Sequence, residues 1–458
     1  MSEYNFDDPN APIKRFELML KTNEVYFFDA LEFEDIVVHY LGLSKIQLAK
    51  RALHLGLGQH PENIDLLLLQ SEMLILDEKY EPAAILLEHI NLIDPDNEEV
   101  LLQKATVASK TGKHKEAIRF LKIALKFTED PFDVWNLLGM EYLLQENFEE
   151  AATFFKKCNE DNHEDYHALY NLIYCYEQLQ DDQAAITALN AILEKDPYSE
   201  VAWHQLGRVY SRIGKIKEAI SAFDFALISD ESFTGAYVEK AKLLEKEGRI
   251  NEAITNYEWA LKTNEPSAFI YQRIGFCHLK LGNDQLAVEF FLEAVHLEPT
   301  SERGWSGLID LYIEKENYQK AQYYIRKALK ANGDSIELWR KSAVIHQNLK
   351  LPDEVIDAYQ NMLDLGDFGW TTWVSCIDGW IGMEDWNKAL EIANKAKSFF
   401  PDDAELDYRI AGCHHRLNQN TEANYFFQNA KKNKEMSPKI TQLFPEFKQP
   451  RILQNLLK

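Results

Sequence analysis

The stretch of the chain that decides its fold is residues 200–231, which read EVAWHQLGRVYSRIGKIKEAISAFDFALISDE. Apolar and small residues recur every three or four positions on both sides of Gly214. This spacing is typical of two amphipathic helices joined by a short turn. With Glu200 counted as position 1, the small residues Gly207 and Ala219 fall at positions 8 and 20. Small residues at these positions predict that the two helices pack closely against each other.

The same register extends in both directions in steps of 34 residues. Position 20 is alanine in eleven of twelve successive segments, because a larger side chain would push the paired helices apart. Val355 is the exception and predicts looser packing in the tenth segment. Position 8 is small in eight segments, and the larger Val37, Ile173, Ile309 and Ile377 predict a wider helix pair. The segments begin at Ala30, Ile64, Glu98, Phe132, Tyr166, Glu200, Thr234, Ala268, Glu302, Ile336, Trp370 and Ala404.

This pattern resembles the tetratricopeptide repeat (TPR), a helix-turn-helix unit of 34 residues. The resemblance implies an all-α fold, a right-handed α-solenoid or superhelix of about twelve TPR units over residues 30–437. Residues 1–29 are expected to cap the first repeat, and the basic residues 438–458 to form a C-terminal capping helix or tail. The overall pattern is similar to TPR-only cytosolic proteins of bacterial type.

Composition narrows the class of protein. The chain has 458 residues, a net charge of −25 and 46% hydrophobic residues, which indicates a folded, acidic protein. The acidic excess argues against binding to nucleic acid or to an anionic membrane surface. The first residues lack the pattern of a secretory signal, and no apolar run approaches the ~20 residues of a membrane span. Five widely spaced cysteines without a C-x-x-C pair favour reduced core thiols and a cytoplasmic location.

A search for catalytic chemistry gives no candidate. The G-x-S-x-G, H-E-x-x-H and P-loop motifs are missing from the sequence. Gly56 and Gly58 form a short Gly-x-Gly, but no strand precedes it as a phosphate site would require. His414 and His415 are adjacent, so on a helix they point about 100° apart and cannot chelate one ion together. We therefore expect no enzyme, no cofactor and no metal site.

Positions 2, 5, 6, 9, 12 and 13 of each repeat, called the inner positions here, are expected to line a concave groove. In the middle and late repeats they mix aromatic side chains with cations. Such a surface can stack on side chains and pair with carboxylates, which favours an acidic or C-terminal peptide as the ligand. The alternative is that these residues are merely hydrated. The candidate peptide-binding residues are Tyr170, Asn171, Tyr174, His204, Gln205, Arg208, Arg212, Lys242, Gln272, Arg273, Phe276, Arg340 and Lys341.

Three functional hypotheses follow from these features. The leading one is a non-enzymatic adaptor or scaffold that binds an extended peptide or a partner helix in the concave groove. The alternative is a structural or assembly protein that associates with itself through its ends, since the N-terminal half is acidic and the C-terminal tail is basic. The third is a nucleic-acid-binding helical repeat, which the net charge disfavours.

Overall fold

The structure is a computed structural model that describes residues 11–22, 24–162, 165–263 and 266–449. It is 79% helix, and the described residues contain no strand, which confirms the all-α class. Residues 1–10 of the predicted N-terminal cap lie outside the described part of the chain, as do residues 450–458 of the predicted C-terminal tail, which include Arg451 and Lys458.

The helices up to Ser229 form one compact unit, the first unit. Each predicted repeat in it contributes two helices of 11 to 14 residues that pack antiparallel against each other. Its helices are α1 Ala11–Thr22, α2 Ala30–Gly42, α3 Ile46–Gln59, α4 Ile64–Leu76, α5 Tyr80–Ile93, α6 Glu98–Lys110, α7 His114–Ala124, α8 Phe132–Leu144, α9 Phe148–Asp161, α10 Tyr166–Gln178, α11 Asp182–Lys195, α12 Glu200–Arg212 and α13 Ile216–Ser229.

The residues from Asp230 onward form the second unit. It has the same pairing of helices and ends in a short helix and a 3₁₀ turn over Pro445–Lys448. Its helices are α14 Thr234–Lys246, α15 Ile250–Thr263, α16 Ala268–Lys280, α17 Asp284–Leu297, α18 Glu302–Glu314, α19 Tyr318–Ala331, α20 Ile336–Asn348, α21 Pro352–Asp364, α22 Trp370–Gly382, α23 Trp386–Phe399, α24 Ala404–Arg416, α25 Asn420–Asn433 and α26 Pro438–Leu443.

The first helix of each pair begins at the residue that the sequence register assigns to it. Capping explains several of these starts, since the side chains of Asn63, Asn97 and Ser199 accept the backbone N–H three residues further on. The turn between paired helices always places position 15 in the left-handed region, where glycine is favoured. Gly214 has a φ of 77° there, but Glu146 adopts 57° without being glycine. The first helix of all twelve pairs therefore ends just before a residue with a positive φ, and this residue is glycine in only four repeats.

Positions 8 and 24 complement each other in volume inside each helix pair. Gly139 packs on the ring of Phe155, and a Cβ atom built on Gly139 would lie only 2.8 Å from that ring. The expected partner of position 8 was the alanine at position 20, so this pairing corrects the sequence interpretation. Where position 8 is large, position 24 is smaller, as in Ile173 with Leu189. The backbones of these helix pairs still approach each other less closely than those of pairs with glycine or alanine at position 8, which agrees with the wider pair that the sequence predicts.

The tenth repeat departs from the others at Val355. The alanines that replace this valine in the other repeats are fully buried, whereas Val355 is half-buried. A cleft of about 520 Å³ opens beside it, between α20, α21 and α22. The cleft lies between neighbouring repeats, so looser packing within the α20–α21 pair stays a prediction.

Both ends of the described chain are covered. At the N-terminal end, α1 packs on α2. Phe16 and Phe28, which precede the first repeat, are fully buried. At the C-terminal end, α26 begins at Pro438, 34 residues after Ala404, where a further first helix would begin. It stops after six residues and lies against both α22 and α24. The buried rings of Phe444 and Phe447 follow it.

Candidate peptide-binding surface

A recurring contact brings the inner positions of neighbouring repeats together. Position 6 of one repeat touches position 9 of the repeat before it at three places in the chain, and we call the row of inner positions the inner strip. The atom pairs that show this contact are Asn171 Nδ2 and Met140 Sδ at 3.7 Å, Lys341 Nζ and Asp310 Oδ1 at 2.6 Å, and Arg409 Nε and Asp378 Oδ1 at 2.6 Å.

Repeats four and five of the first unit carry exposed apolar side chains along this strip. We call Leu137, Met140, Leu144, Tyr170 and Tyr174 the apolar patch. Each of these five side chains is between 39% and 53% exposed, although all five are large and hydrophobic. Their Cα atoms belong to α8 and α10, whose opposite faces are buried in the core. Helical periodicity therefore holds the patch on one side of both helices.

Repeat six supplies four of the predicted candidates, and these four differ in exposure and in their partners. Gln205 is 1% exposed, so packing removes it from the available surface. His204 lies with its ring 5.9 Å from the core ring of Phe223. Arg208 is exposed, and its Nη1 donates a hydrogen bond to Gln205 Oε1 over 3.2 Å.

Acids of the preceding repeat already bind the fourth candidate. The Nη1 atom of Arg212 lies 2.7 Å from Glu177 Oε1, and its Nη2 lies 2.6 Å from Asp182 Oδ1. Two carboxylates therefore neutralise this guanidinium inside the first unit.

In repeats seven and eight a buried carboxylate organises the cations. Glu245 is almost fully buried and forms ion pairs with Arg273 and Lys280. Burial alone would raise the pKa of Glu245, but the hydrogen bonds and charges of the two cations outweigh it and lower that pKa. Tyr257 donates its hydroxyl hydrogen to the same carboxylate over 3.4 Å. Arg273 is thus part of an internal network.

The other candidates of these repeats also have partners in the chain. Lys242 donates to Glu239 over 2.8 Å and lies 5.3 Å above the ring of Phe269. Gln272 is buried and donates to the hydroxyl of Ser301 over 2.7 Å.

Phe276 packs edge-on against the core ring of Phe291, with the ring centres 5.0 Å apart. It is half-buried and lines the side of α16 that meets α18, where Gly307 allows the ring to approach. Its role in this position is to fill space between two repeats.

In repeat ten, two candidate cations also form ion pairs with acids of the chain. Arg340 lies 2.8 Å from Glu337 and 3.2 Å from Asp367. Lys341 is 15% exposed and lies 2.6 Å from Asp310. The acids that hold these cations are often about 30 positions away, and only the stacking of repeats brings them into contact.

The sequence interpretation missed three members of the apolar patch, namely Leu137, Met140 and Leu144. The available signal was their inner position numbers, 6, 9 and 13 of the fourth repeat. They were missed because the sequence interpretation listed groove candidates only from the fifth repeat onward.

The described residues offer little for metal or thiol chemistry. No group of three or more His, Cys, Asp or Glu side chains that could hold a metal ion occurs in that part of the chain. The five cysteines are buried, and burial raises the pKa of the Cys158 thiol to about 12. Among these same residues, no helix combines the length and the hydropathy needed to cross a membrane.

Comparison with known proteins gives matches to families and structures. Models of the tetratricopeptide repeat match residues 142–208, 201–227 and 238–302. Curated protein sequences give no match.

Several solved structures match part of this chain. The C-terminal part of a TPR repeat-containing protein from Cytophaga hutchinsonii is 16% identical, covers 53% of this chain and 98% of its own, and has a TM-score of 0.43. A tetratricopeptide repeat protein from Parabacteroides merdae is 16% identical over 61% of this chain and 97% of its own, with a TM-score of 0.36. YrrB, described as a TPR protein with an unusual peptide-binding site, is 15% identical over 40% of this chain and 94% of its own, with a TM-score of 0.33.

The family models fall on helix pairs in both units. The helices outside the matched residues begin in the same 34-residue register, and the alanine at position 20 recurs in them. The chain therefore carries tetratricopeptide repeats, which the family models place at residues 142–227 and 238–302.

Proposed function

We propose that the protein is a non-enzymatic adaptor that binds an extended peptide or a partner helix on the apolar patch of its first unit. The observation that carries this proposal is the exposure of five large hydrophobic side chains on adjacent inner positions. Contiguous exposed apolar surface on a soluble domain usually marks an interaction site. A peptide that covers these side chains would remove them from water, and that burial would drive binding.

The chemistry of the patch fits a ligand with apolar anchors. Tyr170 and Tyr174 supply rigid rings with few rotatable bonds, so they lose little conformational freedom when a ligand orders them. Met140 adapts its shape to different ligand side chains. We infer that the anchors are apolar side chains spaced along a helix or an extended strand, which are the two forms that such grooves receive.

The first unit also supports a preference for an acidic flank on the ligand. Arg208 lies one repeat further along the inner strip and is exposed. A carboxylate of the ligand that reaches this guanidinium would form a charge-assisted hydrogen bond. Arg212 is a weaker candidate for this role because Glu177 and Asp182 would have to release it.

A peptide-binding experiment tests the proposal. Peptides selected from a phage-displayed library on the whole protein would be measured by fluorescence anisotropy against wild type and Tyr174→Ala. Removing a central aromatic anchor is expected to weaken binding at least about tenfold. The matched control is Tyr198→Ala, the same change at a 73% exposed tyrosine between α11 and α12. Equal affinities of wild type and both variants would reject the apolar patch as the binding site.

The other two hypotheses stay predictions. Self-association through the ends predicts an oligomer that dissociates as salt rises, which sedimentation at several salt concentrations would measure. Nucleic-acid binding predicts an RNA mobility shift at low ionic strength.

A further inference from the structure

The C-terminal segment, residues 434–449, lies on the inner positions of the last repeat. α26 begins in register as a further first helix would, but it ends after six residues, and Phe444 and Phe447 then contact inner positions of α24. Most inner positions of repeat twelve are in contact with it. These contacts join Glu405 to Ser437 at 3.0 Å, Tyr408 Oη to the carbonyl oxygen of Lys434 at 2.8 Å, Gly412 to the ring of Phe444, the rings of His415 and Phe447 at 6.3 Å, and Arg416 Nε to Glu446 Oε1 at 2.7 Å.

An aromatic side chain anchors the centre of the segment. Phe444 is fully buried, and its ring sits where a side chain at position 9 would otherwise project. A Cβ atom built on Gly412 would overlap three carbon atoms of this ring. Position 9 is glycine only in this repeat, so the last repeat has a place for a ring that the other repeats lack.

Charged contacts lie on both sides of the aromatic anchor. Lys439 Nζ is 3.8 Å from Asp378 Oδ2, a carboxylate that Arg409 also binds. Glu446 pairs with Arg416 through two nitrogen atoms, at 2.7 and 3.0 Å. The segment is thus held as a peptide ligand would be, by a basic side chain, a ring and an acidic side chain in that order.

Tertiary contacts, rather than local helix stability, hold the segment in place. Residues 434–437 connect α25 to α26 without helical structure. The six residues of α26 are too few for a helix to be stable by itself, so the contacts with repeats eleven and twelve hold it in place. A peptide that made the same contacts, including burial of a ring in the core shared with α22 and α24, would compete for this place.

Space for a longer ligand lies next to the segment. The cleft of about 520 Å³ beside Val355 ends at Lys439, and Tyr359 and Ser375 also line it. A chain bound in the place of α26 could continue into this cleft toward repeat ten.

We propose that the inner positions of repeats eleven and twelve form a second peptide-docking surface, which the protein's own C-terminal segment occupies. The partner that fits it is a protein segment with a basic residue, an aromatic residue five positions later and an acidic residue two positions after that. Binding of such a segment displaces residues 434–449. The residues involved belong to the second unit, so this proposal stands independently of the apolar patch in the first unit.

A labelled peptide with the sequence of residues 434–449 tests the proposal on the full-length protein. The release variant Phe444→Ala/Glu446→Arg loses its own anchors, and we expect it to bind the peptide at least tenfold more tightly than wild type does. Adding Arg416→Glu to that variant should remove the gain, and a peptide carrying Glu446→Arg should restore it. The matched control is Tyr425→Ala/Glu422→Arg on the outer face of α25, which should bind like wild type.

Several results would overturn the proposal. One is a folded release variant, checked by circular dichroism, that binds no peptide. Another is equal binding to wild type, to the release variant and to the Arg416→Glu form. If the release variant does not fold, Glu446→Arg alone keeps Phe444 and should show the same order of affinities with smaller differences. A wild-type dimer that the peptide dissociates would assign the surface to a second copy of this chain and contradict a foreign partner.

Discussion

Repeats four and five and repeat twelve use the same inner positions in opposite ways. In the fourth and fifth repeats these positions carry exposed apolar side chains, among them Met140 and Tyr174. In the twelfth repeat the chain's own C-terminal segment covers them, with Phe444 buried on Gly412. The covered surface shows that inner positions of a repeat can pack against a short segment of chain, here residues 434–449. The exposed surface is where we propose that a foreign peptide binds.

The difference between the two regions lies in the residues at positions 9 and 13. In repeat twelve, Gly412 leaves space for an aromatic ring, and Arg416 supplies a positive charge for a carboxylate. Met140 and Leu144 in repeat four make an apolar projection that suits the side chains of an amphipathic ligand. The same scaffold would therefore select different ligand chemistry in its two units.

The strongest test of the covered region is Phe444→Ala. Truncating a fully buried phenylalanine is expected to cost about 3–5 kcal/mol, all of it in the attachment of the C-terminal segment. Hydrogen exchange should then show residues 438–447 unprotected while α24 and α25 keep their protection. Tyr425→Ala, at an exposed tyrosine of the same repeat, should change nothing. Unchanged protection of residues 438–447 would contradict the role of Phe444 as the anchor.

The core beneath the exposed region gives the next largest effect. Gly139→Ile should lower the free energy of unfolding of the first unit by about 3 kcal/mol, since the new side chain overlaps Phe155. Adding Phe155→Leu reproduces the pairing found in repeat five, Ile173 with Leu189, and should restore most of the loss. Chemical denaturation of both variants measures this coupling. Additive losses in the double variant would show that positions 8 and 24 do not compensate each other.

The third prediction concerns Arg273 and Lys280, which form ion pairs with the buried carboxylate of Glu245. Glu245→Gln should destabilise the second unit by about 1–2 kcal/mol at pH 7, since Arg273 and Lys280 lose their shared carboxylate. Because the pKa of Glu245 is lowered from 4.5 in the folded protein, its stabilisation is complete above that pH and is lost as the pH falls through the lowered pKa. The difference between wild type and variant should therefore shrink below pH 4.5. A difference that does not shrink as the pH is lowered below 4.5 in denaturation curves would contradict this assignment.

The smallest effect on stability is expected in the exposed region itself. Tyr174→Ala removes a half-exposed ring and should change the free energy of unfolding by less than about 0.5 kcal/mol. The same variant should lose peptide affinity, so thermal denaturation and binding separate function from folding. A large loss of stability would indicate that Tyr174 is a core residue.

The helical fold could be predicted from the sequence because the 34-residue period is local and regular. The alanines at position 20 and the helix starts both follow from it, and both agree with the structure. The pairing of Gly139 with Phe155 was missed because position 8 was matched to the nearer small residue. The left-handed turn at Glu146 was missed because no glycine marks it.

The site was harder to predict because it depends on contacts between repeats. The sequence interpretation treated Arg212, Arg273 and Lys341 as cations available to a ligand. The stacking of repeats places an acid of an earlier repeat beside each of them. The position of the C-terminal segment also depends on tertiary contacts. A short helix and two phenylalanines predict a cap, but they do not indicate that it lies on the inner positions.

Site-specific photo-crosslinking tests the central claim most directly. A benzophenone amino acid placed at position 170, in the apolar patch, would be compared in living cells with one at position 198, on the exposed turn of the same unit. The adaptor role predicts covalent adducts with a partner protein from position 170 and none from position 198. Adducts from both positions alike, or from position 198 alone, would contradict binding through the inner positions of repeats four and five.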